Sequence, residues 1–150
     1  MILSIDPGTE QSAWCDLVDG LPRKTGKVPN LEMLKILRSG TIDAELAIEM
    51  IASYGMPVGR EVFDTCVWIG RFQEAWECRG GKVRLVYRRE VKLYLCESNR
   101  ATDASIRASI IDRFGPGKET AIGRKAAPGP LYGIKGDEWS ALAVALTAAA

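Results

Sequence analysis

Apolar residues recur along this chain with two different periods. Ile2-Leu3-Ser4-Ile5 is a short aliphatic run that ends abruptly in Asp6-Pro7-Gly8-Thr9. Such a run fits a buried strand. Pro7-Gly8 stops it, because proline has no N–H for a ladder and glycine accepts positive φ. Gln11–Val18 predicts a second strand joined to the first by a hairpin, and Arg23–Val28 a third, returning after the Asp19-Gly20 turn. Pro29-Asn30 opens a short helix with Leu31, Leu34, Ile36 and Leu37 on its apolar side, closed by Ser39-Gly40. Leu46–Ile51 predicts a fourth strand, paired with the first inside the sheet.

After a Gly/Pro loop at 53–59 the period lengthens. From Arg60 to Arg79, residues Val62, Phe63, Cys66, Val67, Ile69, Phe72 and Trp76 fall mostly at helical spacing. An aromatic stripe of this kind, Trp68 included, suits a core or a subunit interface better than a ligand box. Gly80-Gly81 ends the helix, and Lys82–Tyr87 alternates basic and apolar residues as a fifth strand. Arg88–Lys92 reads as a connection into a short helix or turn at Leu93–Cys96. Ala101–Phe114 predicts another helix, Gly115–Gly136 a long functional loop rich in Gly, Pro, Lys and Arg, and Asp137–Ala150 an Ala-rich helix that packs closely on a sheet. The pattern predicts one domain over residues 1–150, of α/β class. Its mixed five-stranded sheet combines a three-strand antiparallel meander with parallel strands, flanked by helices.

Composition narrows the chemistry. The chain has 150 residues, 47% hydrophobic and 26% charged, enough to bury a core. It contains no histidine, which excludes Ser-His-Asp triads, Cys-His pairs and HExxH zinc sites together. Its four cysteines, Cys15, Cys66, Cys78 and Cys96, show no CxxC pairing, so reduced thiols are expected rather than zinc or disulfides. There is no P-loop and no GxGxxG. No apolar run approaches the ~18 residues that cross a membrane, and the N-terminus lacks the basic-then-apolar layout of a secretory signal. A cytoplasmic protein is expected.

What remains is carboxylate chemistry. Asp6 ends the first strand, where open α/β sheets bind ligands, Glu49 lies in the fourth, and Asp137 begins the last helix. Each has a plainer reading: an Asp-Pro-Gly turn, a strand-end carboxylate facing water, a helix N-cap. Glu49 argues against the plain reading because Ile48, Met50 and Ile51 surround it, and a buried acid is costly unless paired or bound to a cation. Clustered carboxylates without histidine favour hard cations such as Mg²⁺ or Mn²⁺. Two such ions about 3.5–4 Å apart support phosphodiester hydrolysis.

Ile5-Asp6-Pro7-Gly8-Thr9, Leu46-Ala47-Ile48-Glu49, Val91-Lys92 and Ser140-Ala141-Leu142-Ala143-Val144-Ala145 occur in the order seen in RuvC-type Holliday junction resolvases. The chain resembles these nucleases of the RNase H-like fold over nearly its whole length, and its shortness and basic loop look like the bacteriophage members. The resemblance implies that Asp6, Glu49 and Asp137 bind two Mg²⁺ or Mn²⁺ ions, Asp6 shared between them, and that Lys92 stands near the cleft as a catalytic residue at the scissile phosphate. It also implies a homodimer acting on four-way junctions, leaving a 5′-phosphate and a 3′-hydroxyl. One position departs from the pattern. The family carries a second acid three residues into the last helix, where this chain has Ser140, a residue able to hold a water but not to supply a charge, or simply a small packing residue. Glu138 is a weak substitute, since it lies about 100° around an ideal helix from Asp137.

From Lys82 to Lys135 twelve basic residues face five acids, although the net charge of the whole chain is only +1. A local excess of this kind suits phosphate binding, while for any one residue a solvated surface is the plainer reading. Arg88 and Arg89, with Lys118, Arg124 and Lys125 on the loop, are the DNA-binding candidates; Tyr132 suits base stacking or loop packing equally. Three alternatives stay open: an RNase H-like nuclease acting on RNA or flaps, a junction-binding protein whose catalysis is weakened at Ser140, and a fragment of an actin-like sugar kinase. The last is disfavoured because 150 residues are too few for its two-domain clamp.

Overall fold

A computed structural model describes residues 1–150. The elements run β1 (Ile2–Asp6), β2 (Gln11–Val18), β3 (Leu21–Pro29), α1 (Asn30–Ser39), β4 (Glu45–Met50), α2 (Arg60–Glu77) and β5 (Val83–Tyr87). Then follow α3 (Arg88–Cys96), α4 (Asp103–Phe114), α5 (Lys118–Ala121), β6 (Gly123–Arg124), β7 (Ala127–Pro128) and α6 (Glu138–Ala148). The main sheet has the order β3-β2-β1-β4-β5. Its β1–β2 and β2–β3 pairs are antiparallel, and its β1–β4 and β4–β5 pairs parallel. This is the mixed five-stranded sheet that the hydrophobic pattern predicts. Pro22 and Pro29 are tolerated because β3 is an edge strand, where a missing N–H breaks no inner ladder. Trp14 pairs across the strands with Gly26, and a Cβ on Gly26 would lie 2.8 Å from the indole Nε1, so only glycine leaves room for that ring.

Strand alternation sorts the core into two layers. Leu3, Ile5, Leu46 and Ile48 face α1 and α2. Ala13, Cys15, Ala47 and Val86 face the opposite way, onto α3, α4 and α6. Every residue of α6 except Ser140 is buried, which suits an Ala-rich helix lying flat on a sheet. Two side chains fix its position. Ser4, wholly buried on β1, donates to the Ala141 carbonyl at 2.6 Å, and Arg84 on β5 donates to the Ala148 carbonyl at 3.0 Å. No helix is long and apolar enough to cross a membrane.

Two expectations are revised. Arg88–Lys92 is not a connection but the first half of α3, which starts directly after β5. The Tyr87 N–H donates to Glu90 Oε2 at 2.8 Å, satisfying one orphan donor at the helix start, and Val91 and Leu95 form its buried pair one turn apart. Residues 115–136 are not one open loop either. Ala121 and Leu131 are fully buried, the Leu131 N–H bonds the Ala121 carbonyl at 2.9 Å, and the β6–β7 hairpin projects from this anchored base. Gly129 allows the closure, since a Cβ there would stand 2.4 Å from the carbonyls of Thr120 and Ala121.

Candidate active site at the ends of the central strands

β1 and β4 are parallel neighbours with Ile5 opposite Ile48. The next residue on each strand, Asp6 and Glu49, points to the other face, the side covered by α6. The two carboxyl groups are in hydrogen-bonding reach of each other, and Asp6 is pushed up to about 8, first by burial, then by the charge and hydrogen bond of Glu49, then by Asp137, with Arg88 opposing. Two acids held this close cannot both ionise freely without a cation. The backbone after Asp6 is clamped. The buried Asn30 donates from Nδ2 to the Gly8 carbonyl at 2.9 Å and accepts the Ser12 hydroxyl at 2.6 Å, while Ser12 Oγ accepts the Gly8 N–H at 3.3 Å. A Cβ on Gly8 would lie 2.4 Å from the Gln11 carbonyl oxygen.

Asp137 reaches the same place from α6. Ser4 sits two strand residues before Asp6, about 6.6 Å along β1, and Asp137 one helical turn, about 6 Å, before Ala141. The Ser4–Ala141 bond therefore brings Asp137 level with Asp6, and its charge is felt there. The Asp137 carboxylate is nonetheless directed to β3, where Lys27 Nζ lies 2.7 Å from Oδ2. No three of the acids and cysteines close around one point. Asp6 and Glu49 thus form the inner pair, with Asp137 at the rim.

The other candidates divide. Ser140 and Asp137 share a cleft with Arg88, Arg107 and Lys118. Glu138 is turned away from the acid pair: it is buried, and its Oε2 accepts the Thr25 hydroxyl at 2.7 Å and the Lys135 N–H at 3.3 Å. Arg88 stands 3.6 Å from Glu49 and also pairs with Asp103. It borders three adjoining clefts: that of Asp6, Glu49 and Tyr54, that of Asp137, and one formed with Arg89, Lys92 and Asn99. Lys92, one turn beyond Arg88 on α3, therefore opens onto the cleft next to the acid pair. Arg124 and Lys125 are exposed at the hairpin tip. Cys15 supplies no nucleophile, since burial, then Asp16 and Glu138, push its thiol up to about 12.

Sequence reasoning missed Lys27 and the pairing of Arg88 with Asp103. A lone lysine on an edge strand carries no motif. The signal available was alternation, which puts Lys27 on the same face as Thr25. Lys27 is held above the usual lysine value by the hydrogen bond and charge of Asp137, with Asp6 adding to them.

No protein-family model matches the chain, and no curated protein matches it in sequence. Solved structures do match. The Thermus thermophilus RuvC structure superposes with a TM-score of 0.65 at 18% identity, covering 99% of this chain and 92% of that one. T. thermophilus RuvC in complex with Holliday junction substrate gives 0.66 at 18% identity, with the same coverage. The chain has the RuvC-type, RNase H-like fold. Near-complete coverage in both directions means that the RuvC-like core accounts for the whole sheet and both helical layers, rather than for one shared motif.

Proposed function

We propose that this protein is a metal-dependent endonuclease that cuts branched DNA, four-way junctions above all. The observation that carries the reading is the buried Asp6–Glu49 pair at the ends of two parallel central strands, on a RuvC-type fold whose solved relative is bound to a Holliday junction. The donor set fits a hard divalent cation: only carboxylate oxygens are offered, and burial together with the charge of Glu49 raises Asp6, a cost to its ionised form that such an ion offsets. Asp6 and Glu49 would hold Mg²⁺ or Mn²⁺, which when bound polarises a phosphoryl oxygen and makes water a better nucleophile.

The protein's own groups place the substrate. Arg88, Arg107 and Lys118 border the clefts beside the acids and suit phosphate oxygens on either side of the scissile bond. Lys92 and Arg89 extend this line along α3, and Arg124 and Lys125 reach out from the hairpin to the backbone of an arm. Hydrolysis adds water across the P–O3′ bond: the attacking oxygen stays on the 5′-phosphate, and the departing 3′-oxygen takes up a proton. A four-way junction has near two-fold symmetry, so two copies of the chain resolve it with paired nicks. Of the aromatic residues of α2, Phe72 and Trp76 belong to the core of the fold, whereas Phe63 is 61% exposed and Val67, one turn on, 63%. That pair is the part of α2 available to a second copy.

The test is incubation of a labelled mobile four-way junction with the protein and Mg²⁺ or Mn²⁺, beside Asp6→Asn and against linear duplex, flap and RNA–DNA hybrid. Symmetric nicks in the junction that vanish in Asp6→Asn support the reading; preferential cutting of flap or hybrid moves the substrate. A second reading draws on Ser140 and on the two cations beside the acids: a junction-binding protein of weak catalysis. It requires tight, salt-sensitive junction binding with no cleavage under either metal.

A further inference from the structure

The rim acid Asp137 already has a cation of the protein's own. Lys27 and Thr25 lie two apart on β3 and project to one face, and each engages consecutive residues at the start of α6: Thr25 with Glu138 at 2.7 Å, Lys27 with Asp137 at 2.7 Å. Glu138 is buried and bonded twice, so this contact is built into the fold and sets where β3 presents its lysine. As a stabilising ion pair Lys27–Asp137 counts for little, being about half exposed. Its importance is where it puts a positive charge.

A second divalent ion at the rim would have to be held by Asp137 together with Asp6, because α6 offers no further carboxylate: Ser140 is neutral and Glu138 is committed to β3 and to the turn before α6. Asp137 is the one acid left for it, and Lys27 already occupies that carboxylate. Around Asp6, Glu49 and Asp137 the chain sets two full positive charges, Lys27 and Arg88. Asp103 also draws on Arg88, so with all four carboxylates ionised two net negative charges remain, which one divalent ion balances and two would overshoot by two. We propose that Lys27 takes the place of a second metal ion, so that the site loads a single divalent cation between Asp6 and Glu49 while the lysine ammonium supplies the positive charge at Asp137. An ammonium has three donors; one is used on Asp137, and the other two are free for a non-bridging oxygen of the bound phosphate. This rests on the reading of Asp6 and Glu49 as cation ligands.

The test counts ions directly, on metal-free protein without DNA, by Mn²⁺ titration followed by calorimetry and by the loss of the free-ion paramagnetic resonance signal. The wild type is expected to bind one Mn²⁺, Asp137→Asn still one, Asp6→Asn none, and Lys27→Met two, since the freed Asp137 regains an unneutralised charge beside Asp6. Circular dichroism confirms that each variant is folded. Two ions in the wild type, falling to one in Asp137→Asn, would overturn the substitution by Lys27 and leave the nuclease reading intact. One ion in Lys27→Met would also overturn it, because the lysine would then not be what limits loading. No Mn²⁺ binding to the wild type would remove both this inference and the cation site beneath it.

Discussion

Asn30 is the residue on which the position of Asp6 depends most indirectly and most measurably. It sits at the junction of β3 and α1, is 1% exposed, and uses both ends of its amide on the Asp6 loop: Nδ2 to the Gly8 carbonyl, Oδ1 from the Ser12 hydroxyl. Asn30→Ala removes both bonds at once. The half-buried Gly8 carbonyl can take water in exchange, at a cost of about 1 kcal/mol. Ser12 is wholly buried, and its hydroxyl proton loses its acceptor, which costs about 1–3 kcal/mol. The sum is about 2–4 kcal/mol out of a total stability of about 5–15 kcal/mol. Equilibrium urea unfolding of the wild type, Asn30→Ala, Ser12→Ala and the double variant measures it, and the two sites should couple by about 1 kcal/mol or more because they share one bond. Asn30→Asp separates shape from hydrogen bonding: it keeps the volume but faces the Gly8 carbonyl with an oxygen, so it should be at least as costly as alanine. An Asn30→Ala loss within about 0.5 kcal/mol of wild type, or purely additive single variants, would refute the clamp. In folded Asn30→Ala, Mn²⁺ affinity should also fall, because the backbone that carries Asp6 is no longer fixed.

Three further outcomes are expected. Asp6 has a carboxyl raised from 3.8 to about 8 in the folded chain, so its contribution to stability is fully present below pH 3.8, declines as pH rises and is gone above about pH 8; metal-free Asp6→Asn should therefore become more stable than wild type as pH goes from 5 to 8, by about 3 kcal/mol after allowing for relaxation, and parallel thermal midpoints for the two proteins across that range would contradict this. Ser4→Ala should cost about 1 kcal/mol for the lost bond to Ala141, and Ser4→Val about 1–3 kcal/mol because α6 lies too close to admit a branched side chain, both read from thermal melts. Replacing Arg124 and Lys125 together by alanine should reduce the slope of log K for junction binding against log salt by about one to two without changing the Mn²⁺ stoichiometry; an unchanged slope removes the hairpin from the DNA surface.

The sheet was legible because its strands carry period-two signals bounded by strong turns, such as Asp6-Pro7-Gly8 and Asp19-Gly20. Asp6 and Glu49 were legible for a related reason, as carboxylates at the ends of apolar runs. The start of α3 was not, because Arg88, Arg89, Glu90 and Lys92 crowd its first turn and Val91 alone marks the buried side until Leu95. The β6–β7 hairpin escaped notice because each of its strands is two residues long, too short for any period to show, and its Gly and Pro residues signal only turns. Lys27 was invisible for a different reason. Its role comes from the meeting of an edge strand with a helix start 110 positions later, and nothing local to either segment records that meeting.

The seat of α6 also decides how this chain can vary. A helix buried on nearly every side, and tied by Ser4 at its first full turn, behaves as a ruler with its zero mark at Ala141. Inserting or deleting one residue between Asp137 and Ala141 would swing Asp137 by about 100° and displace it about 1.5 Å, taking it out of line with Asp6 and away from Lys27. Descendants of this sequence can therefore exchange side chains at the mouth but cannot change its spacing. The tip of the β6–β7 hairpin, anchored at its base by Ala121 and Leu131, has no such restriction. Changes in length belong there, where they alter what the protein reaches without moving the acid pair.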